Sequence, residues 1–254
     1  MEKPDTLQQY VEIGGRIFLY TFHFPYTAGY FSRFKTPHKE GARGIMVPRG
    51  QLEQIFSGNE EFRTMEQAEF WCLLEETART LLAYDCCIFH AAAFIWREKA
   101  WLFTAPSGTG KSTQYRNWKK HYGNEVTILN GDKPVLSLQK DGSILVCPSP
   151  WRGKERYGSF HTAPLGGVVY LEQGKENRIF YLQPSESVPK LFSAFWGQPE
   201  DEGQILKMSR ITEAMVQNYP VWKLINTGDY VSAEIARAAF EEWMAGDKEN
   251  KNEI

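Results

Sequence analysis

The chain has 254 residues, of which 42% are apolar, including 16 Phe, 12 Tyr and 8 Trp, and a formal net charge of -2. That apolar content excludes wholesale disorder, and the near-balanced charge gives no general pull toward nucleic acid or an anionic membrane. Cys72, Cys86, Cys87 and Cys147 lack C-x-x-C spacing and an accompanying His pattern, which argues against structural zinc.

In chain order, Tyr10–Ile13 and Arg16–Phe22 are β-prone runs separated by Gly14-Gly15, the spacing of a hairpin. Residues 25–44 mix aromatic, basic, Gly and Pro residues without a period and read as loop, with Arg43–Val47 returning as a strand. Thr64 and Gln67 have capping-box spacing, and Met65, Ala68, Trp71, Leu74, Ala78 and Leu81 follow at helical intervals, so a helix is predicted over 64–84. Two apolar runs, Ile88–Ile95 and Ala100–Thr104, are joined by a charged turn at Arg97-Glu98-Lys99. A helix over Lys111–His121, a buried strand over Val126–Leu129 and a turn at Lys140-Asp141-Gly142 between two strands come next. Leu165–Leu171 and Arg178–Leu182 read as a strand pair, followed by helices near 185–196, 204–217 and 230–245 and a charged tail. No apolar leader and no run of about 18 apolar residues is present, so the expectation is a cytoplasmic protein with no membrane partner.

Ala105-Pro-Ser-Gly-Thr-Gly-Lys-Ser-Thr113 matches the P-loop pattern from its second glycine onward, with Ala105 in place of the first. Main-chain N–H groups of Ser107, Gly108, Thr109 and Gly110, with the positive end of the following helix, are suited to phosphate oxygens. Lys111 would reach the β- and γ-phosphates, Ser112 a bridging Mg²⁺, and Thr113 the α-phosphate. The alternative is a plain glycine-rich turn with an exposed lysine, but a strand before and a helix after are the context phosphate binding requires.

Phosphoryl transfer also needs an acid, to hold Mg²⁺ or accept a proton. In Ile128-Leu-Asn-Gly-Asp132-Lys-Pro, Asp132 follows a buried strand and is the candidate for either duty; otherwise it belongs to a turn-forming Gly-Asp pair. His90 lies in an apolar run before the loop, as a satisfied core histidine or as part of the site. In Pro148-Ser-Pro-Trp151-Arg-Gly-Lys-Glu-Arg156, Arg152 and Lys154 would steady transition-state charge, or the segment is a solvated basic loop anchored by Trp151.

Phe89-His90-Ala91, the loop at 105–113, Asn130-Gly-Asp-Lys-Pro-Val135 and Pro150-Trp-Arg-Gly-Lys-Glu155 together resemble the HPr kinase/phosphorylase family, which has the phosphoenolpyruvate carboxykinase-type P-loop fold. They look like the family's small members, some of which act as peptide-tailoring serine kinases, and the likeness spans roughly residues 88–172. It implies ATP and Mg²⁺ as ligands, a peptide or protein acceptor, and Asp132 as the first of the family's paired acids. His90 matches the histidine preceding the family's phosphate loop. Lys133 stands where the second acid would be, so only the kinase direction is inferred. The architecture expected is α/β, with a small N-terminal α+β appendage over 1–84, a P-loop kinase-like domain over 85–246 and a tail over 247–254. A nucleotide-binding regulatory module with little transferase activity is the alternative, and carboxykinase-like decarboxylation ranks last.

Overall fold

The computed structural model describes residues 6–154 and 156–249. Its architecture is mixed α/β with a core made mostly of sheet. The expected hairpin forms from β1 (Leu7–Ile13) and β2 (Arg16–Phe22), and β3 (Arg43–Ile45) pairs parallel to β2. The segment expected to be loop instead carries helix α1 (Pro25–Phe31) and a 3-10 turn at Ser32–Phe34. Pro25 opens that helix and Thr27, Ala28 and Phe31 turn inward. Seven residues are too few for the period to stand out. Helix α2 (Arg49–Gly58) buries only Leu52, which is why no amphipathic pattern announces it. Helix α3 (Met65–Leu82) begins at Thr64, whose hydroxyl accepts from the Gln67 amide at 3.3 Å.

Among the described residues a nine-stranded sheet forms the centre. The run expected as one strand over Ile88–Ile95 is two, β4 (Cys86–Ile88) and β5 (Ala91–Trp96), with Phe89 and His90 at the break. From β5 the chain turns into β6 (Lys99–Thr104), then helix α4 (Lys111–Tyr122), β7 (Val126–Asn130), β8 (Val135–Leu138) and β9 (Ile144–Cys147). The long β10 (Ala163–Gln173) pairs parallel to β6. β11 (Arg178–Tyr181) does not pair with β10 as expected. β12 (Val221–Asn226) lies between them, parallel to β10 and antiparallel to β11. A strand arriving some forty positions later in the chain leaves no local trace at 165–182.

Helices α5 (Pro184–Phe192), α6 (Glu202–Asn218) and α7 (Val231–Glu249) complete the chain. The predicted end of the last helix at 245 is short; the first residues of the expected tail are helical, and 250–254 lie outside the described residues.

Both faces of the central strands are covered, which explains their continuous apolar sequences. Ala91, Ala93, Ala100, Leu102 and Val168 face a core with Leu191, Ile211 and Met215 of α5 and α6. The alternate residues Ala92, Phe94, Trp96, Trp101, Phe103 and Val169 face Trp118 of α4 and Phe240 of α7, with Trp101 and Phe240 stacked at 3.8 Å. A third core joins the N-terminal elements to the central sheet: Val11, Phe18, Phe31 and Leu74 pack with Cys86, Ile88, Val135, Cys147 and Trp151.

Strand direction positions the site. β5 runs antiparallel to both β6 and β7, so β6 and β7 run the same way and end at one edge of the sheet. The register sets Thr104 opposite Ala91 and Asn130 opposite Ala93. The loop after β6, the turn after β7 and His90 just before β5 therefore meet at that edge. The ends of parallel strands are where open α/β sheets place their ligand crevices.

Candidate functional site

Residues 105–110 connect β6 to α4. Gly108 (φ 81°) and Gly110 (φ 110°) take left-handed conformations closed to most side chains, and Gly110 caps the helix. The amides of Lys111, Ser112 and Thr113 head a 12-residue helix, where no preceding turn accepts from them. The Lys111 ammonium folds back over the loop and donates to Ala105 O at 2.8 Å and Pro106 O at 3.2 Å. An ammonium has three protons, so one remains for an anion. Burial pulls the Lys111 pKa below the ordinary lysine value, opposed by the nearby Asp132 carboxylate. Ser107 and Gly108 are exposed, and Thr109, Gly110, Ser112 and Thr113 are half-buried. Thr109 Oγ1 donates to Pro106 O at 2.9 Å, which draws the loop tip closed.

Asp132 sits across from that loop. The Asn130 side chain accepts from the Asp132 and Lys133 amides, both at 2.9 Å, and its own amide is anchored on Ser149. The turn is thereby fixed by a buried side chain. His90 Nε2 lies 3.3 Å from Asp132 Oδ1 and the Lys133 ammonium 3.1 Å from Oδ2. Burial works to raise the Asp132 carboxyl, but the His90 hydrogen bond and the Lys133 charge outweigh it and hold it below the usual carboxylate range. Lys133, buried to 2% exposure, also faces the Trp196 ring at 4.2 Å, and burial lowers its pKa against the pull of Asp132.

No family model and no curated protein matches the chain. Its chemistry therefore rests on its own geometry.

That geometry brings together His90, Lys111 and Asp132, with Ser112 and Thr113 on the first turn beside them. The 151–158 segment is held close by two glycines that leave no room for a side chain. A Cβ on Gly131 would lie 2.8 Å from Arg152 O, and one on Gly158 would lie 2.9 Å from Leu129 O. Gly153 packs against Asp132, its Cβ position 3.2 Å from the Asp132 Cβ. Trp151 is buried against Phe31 and Phe70 and donates to Phe70 O at 3.1 Å, so it anchors the segment.

Arg152, expected to steady transition-state charge, is half-buried. Its stem lies against Gly158, and the charges that bear on it are those of Arg33 and Arg156. Lys154 is exposed, and Glu155 lies outside the described residues.

Sequence reasoning missed three contributors. Lys133 counted only as an absent acid, although its adjacency to Asp132 was a readable signal. The Asn130-x-Asp132 spacing of a side-chain-stabilised turn was likewise on view. Trp196 comes from 63 positions beyond Lys133, and nothing local points to it. Among the described residues no cluster of three or more His, Cys, Asp or Glu could hold a metal by itself. The oxygens of Ser112 and Asp132 are the hard donors Mg²⁺ prefers, and a magnesium site commonly completes its shell with water and substrate phosphates.

Proposed function

We propose that the chain is an ATP-dependent kinase that transfers the γ-phosphoryl group to a hydroxyl, a serine of a peptide or protein. Residues 105–113 would act as a P-loop, in a core of the HPr kinase and phosphoenolpyruvate carboxykinase type. The observation that carries the reading is the buried Lys111 ammonium held over a positive-φ glycine loop at a helix N-terminus, facing an ionised Asp132. A buried cation with spare donor capacity beside the amides of a helix N-terminus is an arrangement that a polyphosphate completes.

In this reading the amides of 107, 108 and 110–113 bind the phosphate chain, that of Thr109 being turned onto Pro106 O at 3.4 Å, and Lys111 neutralises charge on the transferring group. Ser112 and Asp132 would hold Mg²⁺, which supplies further neutralisation of phosphate oxygens when bound. Asp132 orients the acceptor hydroxyl and takes its proton. A depressed pKa makes it a weak base but keeps it ionised, and His90 Nε2, donating at 3.3 Å, holds the carboxylate in place. The Lys133 ion pair replaces a second carboxylate, which favours a forward kinase over a reversible enzyme. Water-poor closure would come from the Trp151 segment.

Incubation with γ-³²P-ATP, Mg²⁺ and serine peptides tests this. Label is expected on a peptide, reduced by on the order of 10²-fold or more in Asp132→Asn, the range for loss of general acid–base assistance. Full transfer by Asp132→Asn would remove Asp132 from the chemistry. Bound ATP with no transfer to any acceptor would instead favour a regulatory module, the reading that Lys133 in place of a second acid also suits.

A further inference from the structure

Beside the Asp132 turn lies a second charged feature that the transfer chemistry does not use. Arg33 comes from the 3-10 turn at Ser32–Phe34, and Arg152 and Arg156 come from the 151–158 segment. The Arg33 guanidinium lies 4.3 Å over the Phe160 ring. Arg156 lies 4.7 Å over Tyr30 and donates to its hydroxyl at 2.6 Å. Among the described residues, buried Arg152 Nε has no hydrogen-bond partner. Among the described residues none of the three has a carboxylate within ion-pair distance. Burial, then the charges of Arg33 and Arg156, lower the Arg152 pKa.

Three cations with no carboxylate among the described residues paired to them repel one another. Two of them are backed by aromatic faces, which fixes the plane of each guanidinium and leaves its N–H edge for a ligand. Such an edge matches a carboxylate in bidentate fashion. A cleft of about 280 Å³ opens beside Arg33, lined also by Lys35, Phe160 and Thr162 and at one point by Glu12, and gives an extended chain room. Gly153, between Arg152 and Lys154, packs on Asp132, so a hydroxyl presented to Asp132 would have its sequence neighbours close to the arginines.

We infer that Arg33, Arg152 and Arg156 recognise carboxylates flanking the target serine, making an acidic peptide the acceptor. The inference rests on the kinase reading for the word acceptor, but not for the binding itself. The overall charge of -2 and the confinement of the cations to one spot favour a peptide over the extended backbone of a nucleic acid.

The test is fluorescence anisotropy with the full chain and four labelled probes. These are a serine peptide with Glu neighbours, the same peptide with Lys neighbours, the Glu peptide with an amidated C-terminus, and a single-stranded oligonucleotide. Transfer from ATP to each peptide is assayed separately. The Glu peptide is expected to bind about tenfold or more tighter than the Lys peptide, the equivalent of one charge-assisted contact, and the preference should shrink with added salt. Retained affinity in the amidated peptide assigns recognition to side-chain carboxylates, and loss assigns it to the C-terminus; either supports the site. In Arg33→Glu and Arg156→Glu, each checked for an unchanged Tm, the preference should invert, which a merely structural arginine would not produce. Equal binding of the Glu and Lys peptides, or tighter binding of the oligonucleotide, would overturn the inference. Glu-peptide binding without phosphorylation would remove the kinase reading and leave the site, whereas phosphorylation indifferent to charge would do the opposite.

Discussion

Asp132 carries its charge between His90 at 3.3 Å and Lys133 at 3.1 Å, and the sign of its pKa shift follows from their outweighing burial. A carboxyl whose folded pKa is depressed contributes stability above its unfolded value and loses it as pH falls through the folded one. The ¹³Cγ signal of Asp132 should therefore titrate below the range of free aspartate, and in His90→Ala its midpoint should rise. An unchanged midpoint in His90→Ala would show that the imidazole does not act on the carboxylate. Asp132 and Lys111 were legible as residues, because the chemistry of phosphate and the positions after two strands select them. The partners that set their charge were not, because Trp196 reaches Lys133 through tertiary packing, and only adjacency in sequence hinted at Lys133 itself.

At the scale of elements, the strands around the site were legible because each carries apolar residues on both faces and ends in a turn signal. What the sequence withheld was pairing. β12 inserts between β10 and β11, and α1 is too short for its period to be seen. The close approach of the 151–158 segment to the Asp132 turn is equally non-local and depends on Gly131 and Gly158. A Cβ on Gly131 would meet Arg152 O at 2.8 Å, and relieving it means moving the segment. Gly131→Ala is expected to cost about 1–3 kcal/mol, as overpacked sites do. Transfer should fall while affinity for ATP without Mg²⁺ holds, because the phosphate-binding loop is separate from this contact. Transfer at the wild-type level by Gly131→Ala would show that the segment's position is immaterial to the chemistry.

Across the whole molecule, the division into an appendage over 1–84 and a domain beyond it meets a core shared by both. Val11, Phe18, Phe31 and Leu74 pack with Cys86, Ile88, Val135, Cys147 and Trp151. Residues 85–254 expressed alone should therefore lack a cooperative thermal transition, since that face would be stripped of its cover; a sharp transition near that of the full chain would establish two independent units. Trp151 is the largest fully buried side chain at this junction, and Trp151→Ala should cost about 3–5 kcal/mol. The same junction seats the arginine cluster and the Asp132 turn, so the N-terminal elements are built into the site.

The central claim is that the loop at 105–113 grips a nucleotide's phosphates with its amides and the Lys111 ammonium. Isothermal titration of the full chain with ATP and Mg²⁺ addresses it directly. Saturable binding at one site is expected in the wild type and loss of it in Lys111→Ala, with Tm moved by no more than about 2–4 °C, the equivalent of about 1 kcal/mol for a chain of this size. Absence of ATP binding by the folded wild type, or undiminished binding by Lys111→Ala, would contradict it.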